Sequence, residues 1–297
     1  MMDEKLEVKL AGLLSKIEGL LPPDPADVDW SRPAFRWERR QYLGMTAGRL
    51  EAVKCIAEIR AEDILHVDRQ KDLIMSNTES FVKGLPANNV LLTGARGAGK
   101  SSLIRACLMA YWKQGLRLIE VTRDYLTDLP DIVKIVSARP EKFILFCDDL
   151  TFEPGEGSYK ALKAVLDGSI SSGGENVLVY ATSNRRHLMP EKASDNLASG
   201  LDEDGLLHPA ETIEEQLSLS ERFGLWLSFY PFSQDEYLDI VGRWLKELGV
   251  SQEQAQSSEM RFSALQFALQ RGSRSGRVAQ QFARAAASML SLGKGLP

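Results

Sequence analysis

Residues 94–102 read Gly-Ala-Arg-Gly-Ala-Gly-Lys-Ser-Ser, and within them Gly94-x-x-x-x-Gly99-Lys100-Ser101 fits the pattern of a phosphate-binding loop. Phosphate oxygens need several donors aimed at one point. The chain must therefore wrap backbone N–H groups around an anion, and Gly94, Gly97 and Gly99 are the residues that can take positive φ there without strain. Lys100 adds a point charge for the outer phosphates, and the Ser101 hydroxyl can complete a Mg²⁺ shell. A second candidate is the acidic pair Asp148-Asp149, which closes the apolar run Phe143-Ile-Leu-Phe-Cys147. Such a run reads as a strand covered on both faces, and its end is where ligands are met in an open α/β sheet.

The elements that must position these residues follow from periodicity. Val90–Leu92 reads as a buried strand, and a helix follows the glycine loop and points its positive end at the same anion. After Gly115 come the strand Leu116–Thr122, a short helix over Leu129–Ala138 and the strand Lys142–Asp149. Ser158–Ile170 puts Ala161, Leu162, Val165 and Leu166 on one helical face, and Asn176–Ala181 is the next strand, followed by Thr182-Ser183-Asn184. From Arg185 to Glu221 nine acidic residues stand against Arg185, Arg186 and Lys192, which predicts a long acidic surface loop with a short helix over Glu211–Leu219. A further strand is expected at Leu225–Tyr230. Beyond it the chain reads as helical throughout, with capping boxes at Ser233–Glu236 and Ser251–Gln254.

Upstream of the loop, Leu6–Leu21 carries leucines at helical spacing, and four prolines between Leu21 and Pro33 make a strap or linker. Phe35, Trp37 and Tyr42 alternate with Arg32, Arg36, Arg39 and Arg40. That mixture could stack and neutralise single-stranded nucleic acid, but it fits better with aromatics docking the extension on the core and arginines at its rim. Thr46–Glu62 is expected to be a helix, with Leu50, Val53, Ile56 and Ile59 on one stripe, and Asp68–Lys83 another, closed by Gly84 and Pro86.

The chain has 297 residues, enough for a core and a smaller lid, and its net charge of −5 argues against coating by nucleic acid over the whole surface. From Arg261 onward, however, there are five Arg, one Lys and no acid. Cys55, Cys107 and Cys147 share no C-x-x-C spacing and suggest neither disulfides nor zinc, so a reducing cytoplasm is the expected setting. No apolar run approaches the ~20 residues that span a bilayer, and no membrane association is expected.

The order strand, phosphate loop, helix, strand, helix, strand-Asp-Asp, helix, strand-Asn, strand, helical bundle gives a doubly wound parallel α/β sheet with a C-terminal α-helical lid. From about Glu62 to the end it resembles the AAA+ ATPases, a superfamily of P-loop NTPases. It is most similar to a bacterial stand-alone AAA+ family catalogued as a domain of unknown function. The division expected is an N-terminal helical extension with a proline-rich linker (1–61), the ATPase core (62–232) and the lid (233–297).

The resemblance implies ATP and Mg²⁺ as cofactors. Residues Gly94, Ala95, Arg96, Gly97, Ala98, Gly99, Lys100, Ser101 and Ser102 would hold the phosphates, and Ser101 and Asp148 the metal. Where AAA+ motors usually carry Glu as the water-polarising base this chain has Asp149, one methylene shorter, which leaves Asp149 or Glu153 for the task. Asn184 matches the sensor-1 position. Arg222, in Ser220-Glu-Arg-Phe-Gly224, matches the arginine finger, and Arg277, with Arg274 as competitor, matches sensor 2. The function implied is an ATP-hydrolysing machine or switch that forms a homo-oligomer on binding ATP and acts on an unknown protein or nucleic-acid client. Alternatives are an ATP-gated nucleic-acid binder or loader and, more remotely, a P-loop phosphotransferase. A GTPase is disfavoured by the absence of an N-K-x-D guanine-reading motif.

Overall fold

The computed structural model describes residues 9–10, 12, 28–42, 44–152, 157–167, 174–184, 200–201, 207–208 and 219–297. Nearly all of the expected helix Leu6–Leu21, Glu153, most of the acidic loop and the helix expected over Glu211–Leu219 lie outside the described residues.

In chain order the elements are β1 (Ala34–Tyr42), β2 (Met45–Ala52), α1 (Asp68–Val82), β3 (Val90–Gly94), α2 (Lys100–Tyr111), β4 (Leu116–Val121), α3 (Leu129–Val136), β5 (Lys142–Cys147), α4 (Gly157–Leu166) and β6 (Val177–Ser183). The two-residue strands β7 (Gly200–Leu201) and β8 (Leu207–His208) follow, then β9 (Leu225–Phe229) and the helices α5 (Gln234–Glu247), α6 (Gln252–Ala255), α7 (Ser258–Gln270) and α8 (Gly276–Ser291). A seven-stranded sheet has the order β2-β1-β4-β5-β6-β3-β9, and every pairing in it is parallel except the β1–β2 hairpin. β7 and β8 form a separate antiparallel pair. This is the doubly wound α/β architecture expected, followed by a bundle of helices.

The sheet divides the apolar core into two layers. Ile144 and Phe146 of β5 face the layer formed with α1, α2 and the C-terminal helices, whereas Phe143, Leu145 and Cys147 face the layer formed with α3 and α4. A strand buried on both faces must be apolar at every position, which is why this run shows no alternation. The C-terminal helices share the first layer, through Tyr237 and Leu245 of α5 and Phe282 and Ala283 of α8. Helix α5 opens on the expected capping box: the Ser233 hydroxyl accepts from Glu236 N at 3.2 Å and Glu236 Oε2 accepts from Ser233 N at 2.7 Å.

The helix expected over Thr46–Glu62 is not formed. Residues 45–52 are instead β2, paired residue for residue with β1 around a turn in which Gly44 takes φ +82°. The apparent helical stripe is split by the sheet edge, since Leu50 packs with the α3–α4 layer while Val53, Ile56 and Ile59 pack with the opposite one. Gly48 is the residue that makes this possible. The Trp37 indole lies across it so closely that a Cβ there would come within 1.9 Å of the ring. Phe35 and Trp37 are buried, Trp37 Nε1 donates to Asp128 Oδ2 at 2.8 Å, and Arg36 and Arg39 pair with Glu120 and Asp128. The aromatics therefore dock this segment on the core with arginines at the rim, and they present no stacking surface to nucleic acid.

Candidate functional site

In the order β4-β5-β6-β3-β9, the strand preceding the glycine loop is separated from the Asp-Asp strand by β6 alone. The finishing ends of β3, β5 and β6 consequently bring Lys100, Asp148, Asp149 and Asn184 together, although they are up to 84 residues apart in sequence.

The loop takes the conformation that its composition predicts: Gly94, Gly97 and Gly99 all have positive φ, at +115°, +70° and +95°. Two of them serve a second purpose that the sequence did not reveal. A Cβ on Gly94 would lie 2.0 Å from the carbonyl oxygen of Phe229 in β9, and one on Gly97 would lie 2.8 Å from Ser275 Cβ, just ahead of α8. The loop is thus clasped between the last strand and the last helix. Ala95 N donates to Phe229 O at 3.0 Å and Gly276 N donates to Gly97 O at 2.9 Å. Helix α2 begins at Gly99 with no side-chain cap and no acid in its first turn, which leaves its positive end open to an anion.

Lys100 is buried at 6% exposure, and its three N–H donors meet three acceptors: Gly94 O and Ala95 O at 2.8 Å and Asn184 Oδ1 at 3.0 Å. Burial draws its pKa below the ordinary lysine value, and Asp149 and Asp148 act against that shift. The Ser101 hydroxyl donates to Asp148 Oδ1 at 2.8 Å, and Asn184 Nδ2 donates to Asp149 Oδ1 at 2.5 Å. Asp149 is one of two non-glycine residues with positive φ among those described, at +53°, a conformation that aspartate tolerates better than most side chains. Ser101 and Asp148 offer an oxygen pair suited to a hard divalent cation.

Thr182 was not singled out from the sequence. Its buried hydroxyl donates to Asp148 Oδ1 at 2.6 Å and accepts from Asp149 N at 2.9 Å. The signal that could have found it is a run of three polar residues, Thr182-Ser183-Asn184, at the end of an otherwise apolar strand.

The arginines lie elsewhere. Arg277 is exposed on the first turn of α8, its Cβ 3.6 Å from where a Gly97 side chain would begin, and Arg274 and Arg96 line a cleft of about 640 Å³ between the loop and α7. Arg222 is at the other end of the sheet. β9 runs parallel to β3 with Leu225 opposite Val90 and Phe229 opposite Gly94, so Arg222 precedes the starting end of the strand while Lys100 follows the finishing end. Its guanidinium pairs with Asp167, just past α4.

Strand order, glycine loop and helical C-terminal bundle together define an AAA+ P-loop ATPase fold. Comparison with solved structures agrees. The Thermotoga maritima RuvB Holliday junction branch migration motor matches with a TM-score of 0.50 at 16% identity, over 77% of this chain and 63% of that one. A point mutant of the same RuvB matches with a TM-score of 0.53 at 16% identity, over 81% and 69%. The replication initiator DnaA bound to AMPPCP and single-stranded DNA matches at 0.51 and 15% identity, over 78% and 65%. Such identities speak for the fold alone, and the chain spans between 63% and 69% of the RuvB and DnaA chains it matches. Within that fold the chain belongs to the DUF815 family, described as a protein of unknown function, whose profile matches residues 31–290. No curated protein matches it. Among the described residues no helix is long and apolar enough to cross a membrane.

Proposed function

We propose that this protein binds ATP with Mg²⁺, hydrolyses it, and couples nucleotide state to movement of the C-terminal helices and to contacts between subunits. The observation that carries the reading is the convergence of Lys100, Ser101, Asp148, Asp149 and Asn184 from three strand ends onto one point beside an uncapped helix N-terminus. Residues 94–102 supply backbone donors and Lys100 an ammonium for the β- and γ-phosphates, while Ser101 and Asp148 hold the cation. When bound, Mg²⁺ would neutralise charge on the phosphates as the terminal bond breaks. Asp149 accepts the proton of the attacking water, and Asn184 fixes the Asp149 carboxylate by a hydrogen bond to Oδ1.

Coupling to the lid is supported by the Gly97 O to Gly276 N bond, because any change in the loop reaches α8 through one hydrogen bond. Arg277 follows immediately, and its nearness to Gly97 supports a role in meeting phosphate from the lid side. Arg222, a strand length away from its own loop, is suited to act on a neighbour's site, and to do so it must leave Asp167. A finger of this kind is worth ~10³-fold or more in rate. Turnover per molecule should therefore rise with protein concentration, and mixing Arg222→Ala with Lys100→Ala protein should restore activity that neither has alone. Concentration-independent turnover with no recovery on mixing would leave Arg222 a structural residue.

A second reading, a nucleotide-gated nucleic-acid binder, loses the hairpin but keeps the C-terminal helices. Arg261, Arg271, Arg274, Arg277 and Arg284 are all exposed there and form no ion pair among the described residues. Retention of DNA or RNA that weakens steeply with salt would favour it.

A further inference from the structure

We propose that Thr182 is a positioning residue that sets both acids of the site at once, Asp148 for the cation and Asp149 for the water; this rests on the hydrolytic reading above. A hydroxyl has one donor and two acceptor positions, and here the donor goes to one acid and an acceptor position to the backbone of the next.

The consequences differ at the two residues. Asp148 Oδ1 receives both the Thr182 and the Ser101 hydroxyls, whereas Oδ2 receives no hydrogen bond among the described residues. The carboxylate is thereby pinned by one oxygen with the other left to face a cation. At Asp149 the Thr182 oxygen takes up the N–H of a residue whose φ is +53°, so the hydroxyl holds the turn that aims the side chain at Asn184.

The rest of the β6 terminus works in the same direction. Leu150 N donates to Thr182 O at 2.7 Å and Ser183 Oγ donates to Leu150 O at 2.9 Å, so three consecutive residues after β5 are tied to β6. Of these ties, only those made by the Thr182 hydroxyl touch both acids. Threonine also suits the task sterically. Its branched Cβ restricts χ1, which keeps the hydroxyl on the acids in a side chain that is buried.

Thr182→Val keeps shape and burial and removes only the hydroxyl, while Thr182→Ser keeps the hydroxyl. In the full chain, ADP binding measured calorimetrically in EDTA should differ from wild type by no more than ~2-fold in either variant, because the loop and Lys100 are untouched. Titrating MgCl2 against bound ADP, the Mg²⁺ half-saturation of Thr182→Val should rise ~10-fold, and its kcat for ATP should fall ~10–100-fold with little change in KM, the usual cost of losing a group that orients a metal ligand. Thr182→Ser should restore most of both. Wild-type Mg²⁺ half-saturation and kcat in Thr182→Val would overturn the proposal, as would equal impairment of the Val and Ser variants, which would assign the effect to packing of the whole side chain and not to the hydroxyl. Should the wild-type chain bind ADP but not turn over ATP, the hydrolytic reading fails and the Mg²⁺ arm still decides whether Thr182 sets Asp148. A wild-type chain that binds no ADP would sink both.

Discussion

On the β1–β2 edge of the sheet each charged group is met by its opposite. Arg36 pairs with Glu120 at 2.9 Å, Arg39 with Asp128 at 2.5 Å and Arg49 with Glu51 at 2.9 Å. At the finishing ends of β3, β5 and β6 the charged groups are held by neutral ones instead. Lys100 is fixed by three carbonyl oxygens, Asp148 by two hydroxyls and Asp149 by an amide. Both regions are ordered, but in the first the charge is cancelled where it stands. In the second it is positioned and left uncancelled at contact distance, which is the arrangement that acts on a charged ligand. A tally of charges along the sequence favours the arginine-rich hairpin as a binding surface; the identity of the partners reverses that ranking.

The largest expected effect follows from Lys100. Lys100→Ala should weaken ATP binding by ~100-fold or more, since about 3 kcal/mol of charge-assisted hydrogen bonding is removed and each 1.4 kcal/mol is tenfold in affinity. Undiminished affinity, read by calorimetry, would mean that the uncancelled ammonium is structural and would erase the contrast with the hairpin.

Next in size is Asp149→Asn. The neutral amide cannot take a proton, so kcat should fall by ~10²–10⁴-fold while ATP and Mg²⁺ remain bound through Lys100, Ser101 and Asp148. Turnover that survives this change and is lost with Glu153→Gln would move the base to Glu153 and leave Asp149 as a turn residue.

β3, β5 and β6 were legible because they are buried on both faces and are therefore written as nearly continuous apolar runs, with the polar site residues at or just past their ends. The φ values of Gly94, Gly97 and Gly99 were legible for a similar reason: a local backbone demand selects a local residue type. What stayed hidden was set by neighbours remote in sequence. β2 forms because β1 lies beside it and because Gly48 makes room for Trp37, and neither fact has a local signature. The Asp167 partner of Arg222 lies 55 residues away, and the two bonds of Thr182 exist only because β5 and β6 are adjacent. Helical spacing in Leu50, Val53, Ile56 and Ile59 was real but accidental, since the chain carries those side chains around the edge of the sheet to opposite layers.

The smallest effect is expected at the hairpin, and it should fall on stability alone. Asp128 accepts hydrogen bonds from Trp37 Nε1 at 2.8 Å and from Arg39 Nε at 2.7 Å, tying β1 to the start of α3. Burial by itself would raise its pKa, but the bonds from Arg39 and Trp37 outweigh burial and hold it below the ordinary value of 3.8. A carboxylate whose folded pKa is depressed stabilises the fold above its unfolded pKa and loses that contribution as pH falls through the folded value. Asp128→Ala should accordingly cost about 2 kcal/mol at neutral pH, seen as a melting point lower by roughly 4–8 °C, and the difference from wild type should shrink below about pH 4. Because the charges at this edge are cancelled among themselves, ATP affinity and turnover below the melting range should stay within ~2-fold of wild type. A loss of turnover at unchanged stability would show that the hairpin reaches the site after all, through α3 and the β4–β5 pair, and the separation between a closed edge and an open strand end would not hold.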